Sequence, residues 1–250
     1  MPLAAVAAFL GATLQSATGF GFALVLGPAL IAVLTPAEAL TTLLVLSASL
    51  NLLMLFSERR RRSIRWSDVL LLLAAAAPGL VGGVFLLSVA SKAELQVAVG
   101  LTVLLAVVFH VRRVRGPDTV GGASTPAWAA AAVGVVTGGL TTTTNVNGPP
   151  LVLWFQRRGA TPGELRDSVA AGSLPLNVAG ACLLMVFGEQ EQSFVAEAIL
   201  PLLALTVAGQ LAGRRVFERF SAERFALAGI VLATLAGLSS LGIGVASLAG

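Results

Sequence analysis

The sequence predicts an all-α integral membrane protein made of two inverted repeats, each an interrupted, hairpin-like helical segment plus three transmembrane helices. Three observations carry this. Of the 250 residues 56% are apolar and only 11% charged, with a mean hydropathy of +0.91, far above that of a soluble domain. The few charges leave eight long uncharged runs between them. Two of those runs are much longer than the others and occupy equivalent places in a chain whose motifs recur at offsets of 121 to 130 residues.

A bilayer core about 30 Å thick takes roughly 20 apolar residues per helical crossing. The first run, 1–37, is too long for one crossing and is broken by Gly, Pro and polar residues, so it reads as an interrupted helix. Met1 is not followed by a basic region, so this segment is expected to stay in the mature chain. The runs 39–57, 69–91 and 95–111 are single crossings. A polar link at 112–125 follows, and then 119–156, again too long and again broken. The runs 168–188, 198–213 and 225–250 complete the second set of three crossings. The expected halves are therefore 1–111 and 126–250, joined by 112–125 in the cytoplasm.

Thr35-Pro36-Ala37-Glu38 returns as Thr161-Pro162-Gly163-Glu164, and Ser47 and Asn51 return as Ser173 and Asn177, all at an offset of 126. Gly79-x-x-x-Gly83 matches Gly209-x-x-x-Gly213 at 130, and Gly27-Pro28 resembles Gly148-Pro149 at 121. Basic residues decide the orientation, because they concentrate in cytoplasmic loops. If the run 119–156 crosses once, the 16 Lys and Arg divide equally between the two sides. If it enters and returns, all but Lys92 lie inside. The second count makes the run a hairpin and gives the two halves opposite orientation, an arrangement typical of transporters.

The polar centres of the two long runs are the candidate site. One is Gln15-Ser16-Ala17-Thr18-Gly19-Phe20-Gly21-Phe22, followed by Gly27-Pro28; the other is Gly138-Gly139-Leu140-Thr141-Thr142-Thr143-Thr144-Asn145-Val146-Asn147-Gly148-Pro149-Pro150. Non-helical backbone survives at membrane depth only when it is buried in protein or lines a watery cavity. Free N–H groups and the positive ends of half-helices at such breaks favour an anion. Ser16, Thr18, Gly19, Gly21, Thr142, Thr143, Thr144, Asn145, Asn147 and Gly148 are accordingly candidate binding residues. Small residues that permit close helix packing, with Thr hydroxyls bonding their own helix, are the alternative reading. Ser47, Asn51, Ser173 and Asn177 share helix faces pointing into the bundle, where interhelical bonding and ligand contact are both open.

Thr-Pro-x-Glu has capping-box spacing, which assigns Glu38 and Glu164 to caps ahead of proton carriage. Pro78, Pro175 and Pro201 are expected to kink their helices, His110 to lie at the interface and Cys182 to be a small packed thiol. The run Glu58-Arg59-Arg60-Arg61-Arg62 reads as a topology determinant that meets lipid headgroups, so no nucleic acid partner is expected. One His, one Cys and no Tyr leave almost none of the side chains that metal or nucleophilic catalysis needs, so neither an enzyme nor a cofactor is expected.

Thr18-Gly19-Phe20-Gly21 with Gly27-Pro28, Gly148-Pro149-Pro150-Leu151, the repeated Thr-Pro-x-Glu and the paired Gly-x-x-x-Gly resemble the TauE/SafE sulfite exporter family over essentially the whole chain. The chain departs from the usual pattern at Phe20 and Phe22, which interrupt a Gly run, and at the Thr-rich stretch before Asn147. The resemblance implies a multi-pass transporter of a prokaryotic plasma or inner membrane, carrying small sulfur-containing anions such as sulfite, thiosulfate or sulfoacetate. The expected mechanism is alternating access with the anion held by neutral donors near the midplane. An uncoupled anion or small-solute channel of the same fold is the alternative. A coupling ion, proton or sodium, and a homo-oligomer are left open.

Overall fold

The computed structural model describes residues 2–18, 21–57, 62–115, 126–187, 192–219 and 222–249, so Gly19 and most of the link at 112–125 lie outside the described residues. Ten α-helices and no strand are found among the described residues. The first broken run forms α1 (Pro2–Thr18) and α2 (Phe22–Val33), and α3 (Pro36–Ser57), α4 (Trp66–Val89) and α5 (Lys92–Arg115) follow. The second broken run forms α6 (Ala127–Thr143) and α7 (Gly148–Arg157), followed by α8 (Pro162–Phe187), α9 (Gln192–Arg219) and α10 (Ala222–Ala249). The first residues of α2 and α7, of α3 and α8, and of α4 and α9 are each 126 apart. Residues 112–115, read above as the start of the link, instead continue α5.

Local chemistry sets the helix starts. Thr35 N–H donates to Glu38 Oε2 at 3.0 Å while Glu38 N–H donates to Thr35 Oγ1 at 3.4 Å, so the expected capping box opens α3. Thr161 and Glu164 repeat it at α8 with 2.8 and 3.3 Å. A third box, Ser91 with Glu94, opens α5 at 2.7 and 3.2 Å. The Ser91 backbone N–H, and after it the hydroxyl, hold the Glu94 carboxyl below the ordinary glutamate range. Pro78, Pro175 and Pro201 lie inside α4, α8 and α9, and Pro28 inside α2. Gly27-Pro28 is thus mid-helix, whereas Gly148-Pro149 opens α7; the two dipeptides are not equivalent, and Gly148 instead corresponds to Phe22. Cys182 is exposed, not packed.

Among the described residues three helices, Pro36–Phe56, Trp66–Val89 and Pro162–Phe187, are long and apolar enough to cross a membrane, and five shorter apolar helices accompany them. Large apolar side chains point outward along them, among them Phe56, Phe85, Val89 and Leu200. Trp66 and Trp128, both exposed, suit the amphipathic zone of a bilayer surface.

The packing crosses between the halves. Helix α4 lies against α6, and α9 lies against α1, so the plain helix of each half covers the first arm of the other half's broken segment. Glycine makes this approach feasible. A Cβ on Gly79 would strike the Val135 carbonyl, and one on Gly83 the Thr142 hydroxyl. On the other side a Cβ on Gly209 would strike the Phe9 carbonyl, and one on Gly213 the Ser16 hydroxyl. The two Gly-x-x-x-Gly motifs therefore perform equivalent tasks. Helices α3 and α8 pack on each other between these pairs.

Candidate functional site

The first break arises because Gly21 sits at φ 119°, a left-handed backbone that glycine tolerates and other residues do not, and this residue caps α2. The second has a different cause. Thr141, Thr143 and Thr144 donate their hydroxyls to carbonyls one turn back, at 2.7, 2.8 and 3.2 Å, which weakens helix continuation. Asn145 then takes φ 56°, the left-handed stop that Asn accepts. Pro149 and Pro150 fill the first turn of α7, where their missing N–H groups cost no helical bond.

Between the breaks lies a cavity of about 40 Å³. Asn145, Asn147 and Gly148 line it from one break and Gln15 and Gly21 from the other; α3 contributes Ser47 and Asn51, and α8 contributes Val169, Ser173 and Asn177. Its polar groups bond to one another in a definite sense. Gln15 Nε2 donates to Asn51 Oδ1 at 3.1 Å, and Gln15 Oε1 accepts the Phe22 N–H at 3.2 Å. Asn147 Nδ2 donates to Asn177 Oδ1 at 3.1 Å and to Thr141 Oγ1 at 3.2 Å, while Ser173 Oγ donates to Asn147 Oδ1 at 3.3 Å. Asn145 Nδ2 donates to Ser47 Oγ at 2.7 Å and to the Leu43 carbonyl at 3.4 Å.

These bonds occupy the acceptors Gln15 Oε1, Asn51 Oδ1, Asn147 Oδ1 and Asn177 Oδ1, whereas Asn145 Oδ1 is buried without a hydrogen-bond partner. The donors left over are the amide nitrogens of Asn51 and Asn177 and the Ser47 hydroxyl hydrogen, which make no hydrogen bond among the described residues. The backbone adds less than expected from the sequence. Of the first N–H groups of α2, Phe22 serves Gln15 and Leu24 returns to the Gly21 carbonyl at 3.1 Å. With Pro149 and Pro150 lacking N–H groups, Ala23 and Gly148 are among the backbone donors that remain beside the cavity. A pocket with all but one of its side-chain amide oxygens paired and its donors in surplus suits an anion, and every donor is neutral.

The structure brings together Gly21, Ser47, Asn51, Asn145, Asn147, Gly148, Ser173 and Asn177 around this cavity. It does not bring Ser16 or the Thr side chains there. Ser16 Oγ donates to the Thr13 carbonyl at 2.8 Å against Gly213. Thr142 reaches the Leu80 carbonyl on α4 at 3.0 Å, and Thr143 and Thr144 bond within α6. The Thr18 side chain and Gly19 lie outside the described residues. The sequence placed Gln15 at the edge of the first break without counting it among the binding residues, whereas in the structure it joins α1, α2 and α3.

On α3 and α8 one turn beyond the cavity, Leu40, Leu44, Ala181 and Leu184 pack with Val84 and Leu87 into an apolar plug. Past it is a second cavity of about 330 Å³, lined by Thr35, Ala37, Ser88 and Lys92 together with plug residues. At the opposite end of α8, Arg166 Nη2 donates to the Ser16 carbonyl at 3.2 Å. Nearby Asp68, buried, pairs with Arg65 Nε at 3.1 Å and Arg158 Nη2 at 3.2 Å.

An all-helical chain with bilayer-length apolar helices and a polar cavity between two broken helices belongs to the class of membrane transport proteins. The chain matches the sulfite exporter TauE/SafE family over residues 3–240, nearly its whole length, and is a member of that family. No curated protein and no solved structure matches it.

Proposed function

We propose that this protein is a secondary transporter of small sulfur-containing oxyanions, sulfite, thiosulfate and sulfoacetate among them, in a prokaryotic plasma or inner membrane. Its halves, 1–111 and 126–250, are inverted copies joined by a cytoplasmic link. The 126-residue spacing of helix starts, the reciprocal packing of α4 on α6 and α9 on α1, and the distribution of basic residues support that arrangement. The anion is held between the breaks by the donors of Asn51, Asn177, Ser47, Ala23 and Gly148, and access alternates as the halves move against each other.

The observation that carries this reading is the polarity of the hydrogen-bond network, in which four of the five side-chain amide oxygens are consumed internally while more donors than acceptors remain for a ligand. Neutral donors hold an anion without the strong trap a buried cation would create, so release stays feasible. The test is flux of sulfite, thiosulfate, sulfoacetate and acetate into proteoliposomes with and without imposed proton and sodium gradients. Asn147→Ala, which removes the link between α7 and Asn177, is expected to lower sulfur-anion flux at least tenfold while the protein stays monodisperse. Undiminished flux by the folded variant would sink the assignment. One observation favours an uncoupled channel instead, namely that no ionisable side chain is among the lining residues to carry a proton. That reading predicts flux indifferent to both ion gradients.

A further inference from the structure

The two ends of the polar column through α3 and α8 are not alike. At an offset of 126, Arg166 on α8 corresponds to Leu40 on α3. Leu40 is fully buried in the apolar plug that separates the inner cavity from the larger one. Arg166 is only partly buried and lies on the same α8 stripe as Val169, Ser173 and Asn177, spaced three, seven and eleven residues along, all three of which line the cavity. Its guanidinium holds the Ser16 carbonyl, in the last turn of α1 beside the first break. There the helix leaves carbonyls without intrahelical partners and its dipole is negative. Lys92, by contrast, is reached only beyond the plug.

From this asymmetry we infer that Arg166 is the anion-capture residue of the cytoplasmic mouth, exchanging the Ser16 carbonyl for an incoming oxyanion and handing it to the donors between the breaks. The inference rests on the transport reading above and on the cytoplasmic placement of α8's start. A guanidinium bonds an oxyanion more strongly than a neutral carbonyl, because both partners are then charged and two parallel N–H groups can engage. The anion therefore competes with the Ser16 carbonyl for Arg166, and its departure into the cavity returns the guanidinium to Ser16. The outer end, with leucine in the corresponding place, has no such exchange.

The experiment measures sulfite transport in inside-out and right-side-out membrane vesicles, which present the cytoplasmic and outer faces separately. Arg166→Gln is expected to raise KM at the cytoplasmic face at least tenfold, with KM at the outer face within twofold of wild type and kcat little changed. Arg166→Lys, which keeps the charge but loses the planar fork, is expected to raise the cytoplasmic KM severalfold; it carries the test alone should the glutamine variant fail to fold. Lys92→Gln is the matched control and leaves the cytoplasmic KM unchanged. The inference is overturned by a cytoplasmic KM unmoved in the folded Arg166 variants, by an equal rise at both faces, or by an equal effect of Lys92→Gln. Wild-type vesicles that move no sulfite, thiosulfate or sulfoacetate would overturn the transport reading itself, whatever the variants do.

Discussion

Asn51 and Asn177 each receive a hydrogen bond on the side-chain oxygen, from Gln15 in one case and Asn147 in the other, and each is thereby turned so that its NH2 group serves the cavity. Different residues thus orient equivalent amides in the two halves. The orientation is testable with a near-isosteric change. Asn51→Asp and Asn177→Asp keep the accepting oxygen and convert the donor into a second acceptor, which repels an anion when ionised. Burial raises a carboxyl's pKa by disfavouring its charged form, so either variant regains a neutral O–H donor in acid. Sulfite flux relative to wild type at the same pH is therefore expected to fall tenfold or more in mildly alkaline buffer and to recover partly as pH drops. Equal loss at every pH would mean that these amides act only as struts.

Among the helices, the broken pairs are held by the plain helices of the opposite half, and the approach is set by backbone atoms. Gly79→Ala on α4 and Gly209→Ala on α9 would each place a methyl against a main-chain carbonyl, of Val135 and Phe9 respectively, which can yield only by moving the helices apart. Overpacking of that kind costs about 1–3 kcal/mol. Gly82 and Gly242 meet nothing within 4 Å, so alanine at either relieves glycine's conformational entropy without a clash and is worth up to about 1 kcal/mol in favour of the helix. Thermal unfolding in detergent should accordingly separate the two pairs in sign, the first with lowered midpoints and the second with midpoints unchanged or raised. Matching midpoints for all four variants would contradict the close-packed contacts.

For the molecule as a whole, the halves are also tied where charges gather. Ser63 N–H donates to Asp167 at 2.9 Å, Arg65 N–H to Ser168 Oγ at 3.0 Å, and Arg65 Nη1 to the Arg158 carbonyl at 2.7 Å. Asp68, with its side chain 3% exposed, sits between Arg65 and Arg158, which are 26% and 33% exposed. Asp68→Asn leaves two partly solvated cations facing each other without the carboxylate. Because water screens them in part, the expected loss is roughly 1–3 kcal/mol, below that of a fully buried pair. The midpoint should fall and the fall should shrink in high salt, since the arginines' mutual repulsion is screened there. A midpoint equal to wild type would show that the cluster does not join the halves.

Hydropathy, charge spacing and the 126-residue offset were enough to read the helical class, the two breaks and the capping boxes, and to single out Ser47, Asn51, Ser173 and Asn177, which line one cavity. Each of these depends on residues close together along the chain or on a regular period, and such information is local. The role of the threonines was not legible in this way. A threonine before a break carries the same sequence signal whether its hydroxyl faces a ligand or its own helix, and Thr142 resolves the choice only through the Leu80 carbonyl, 62 residues away. The role of Gln15 was hidden for the converse reason, because its value lies in meeting Asn51 and the Phe22 N–H at once. The same holds for Arg166 and Leu40, two residues that the repeat makes equivalent. One touches the broken helix of the other half and its counterpart fills a plug, a distinction that arises only when distant helices pack and long-range contacts assign each polar atom its partner.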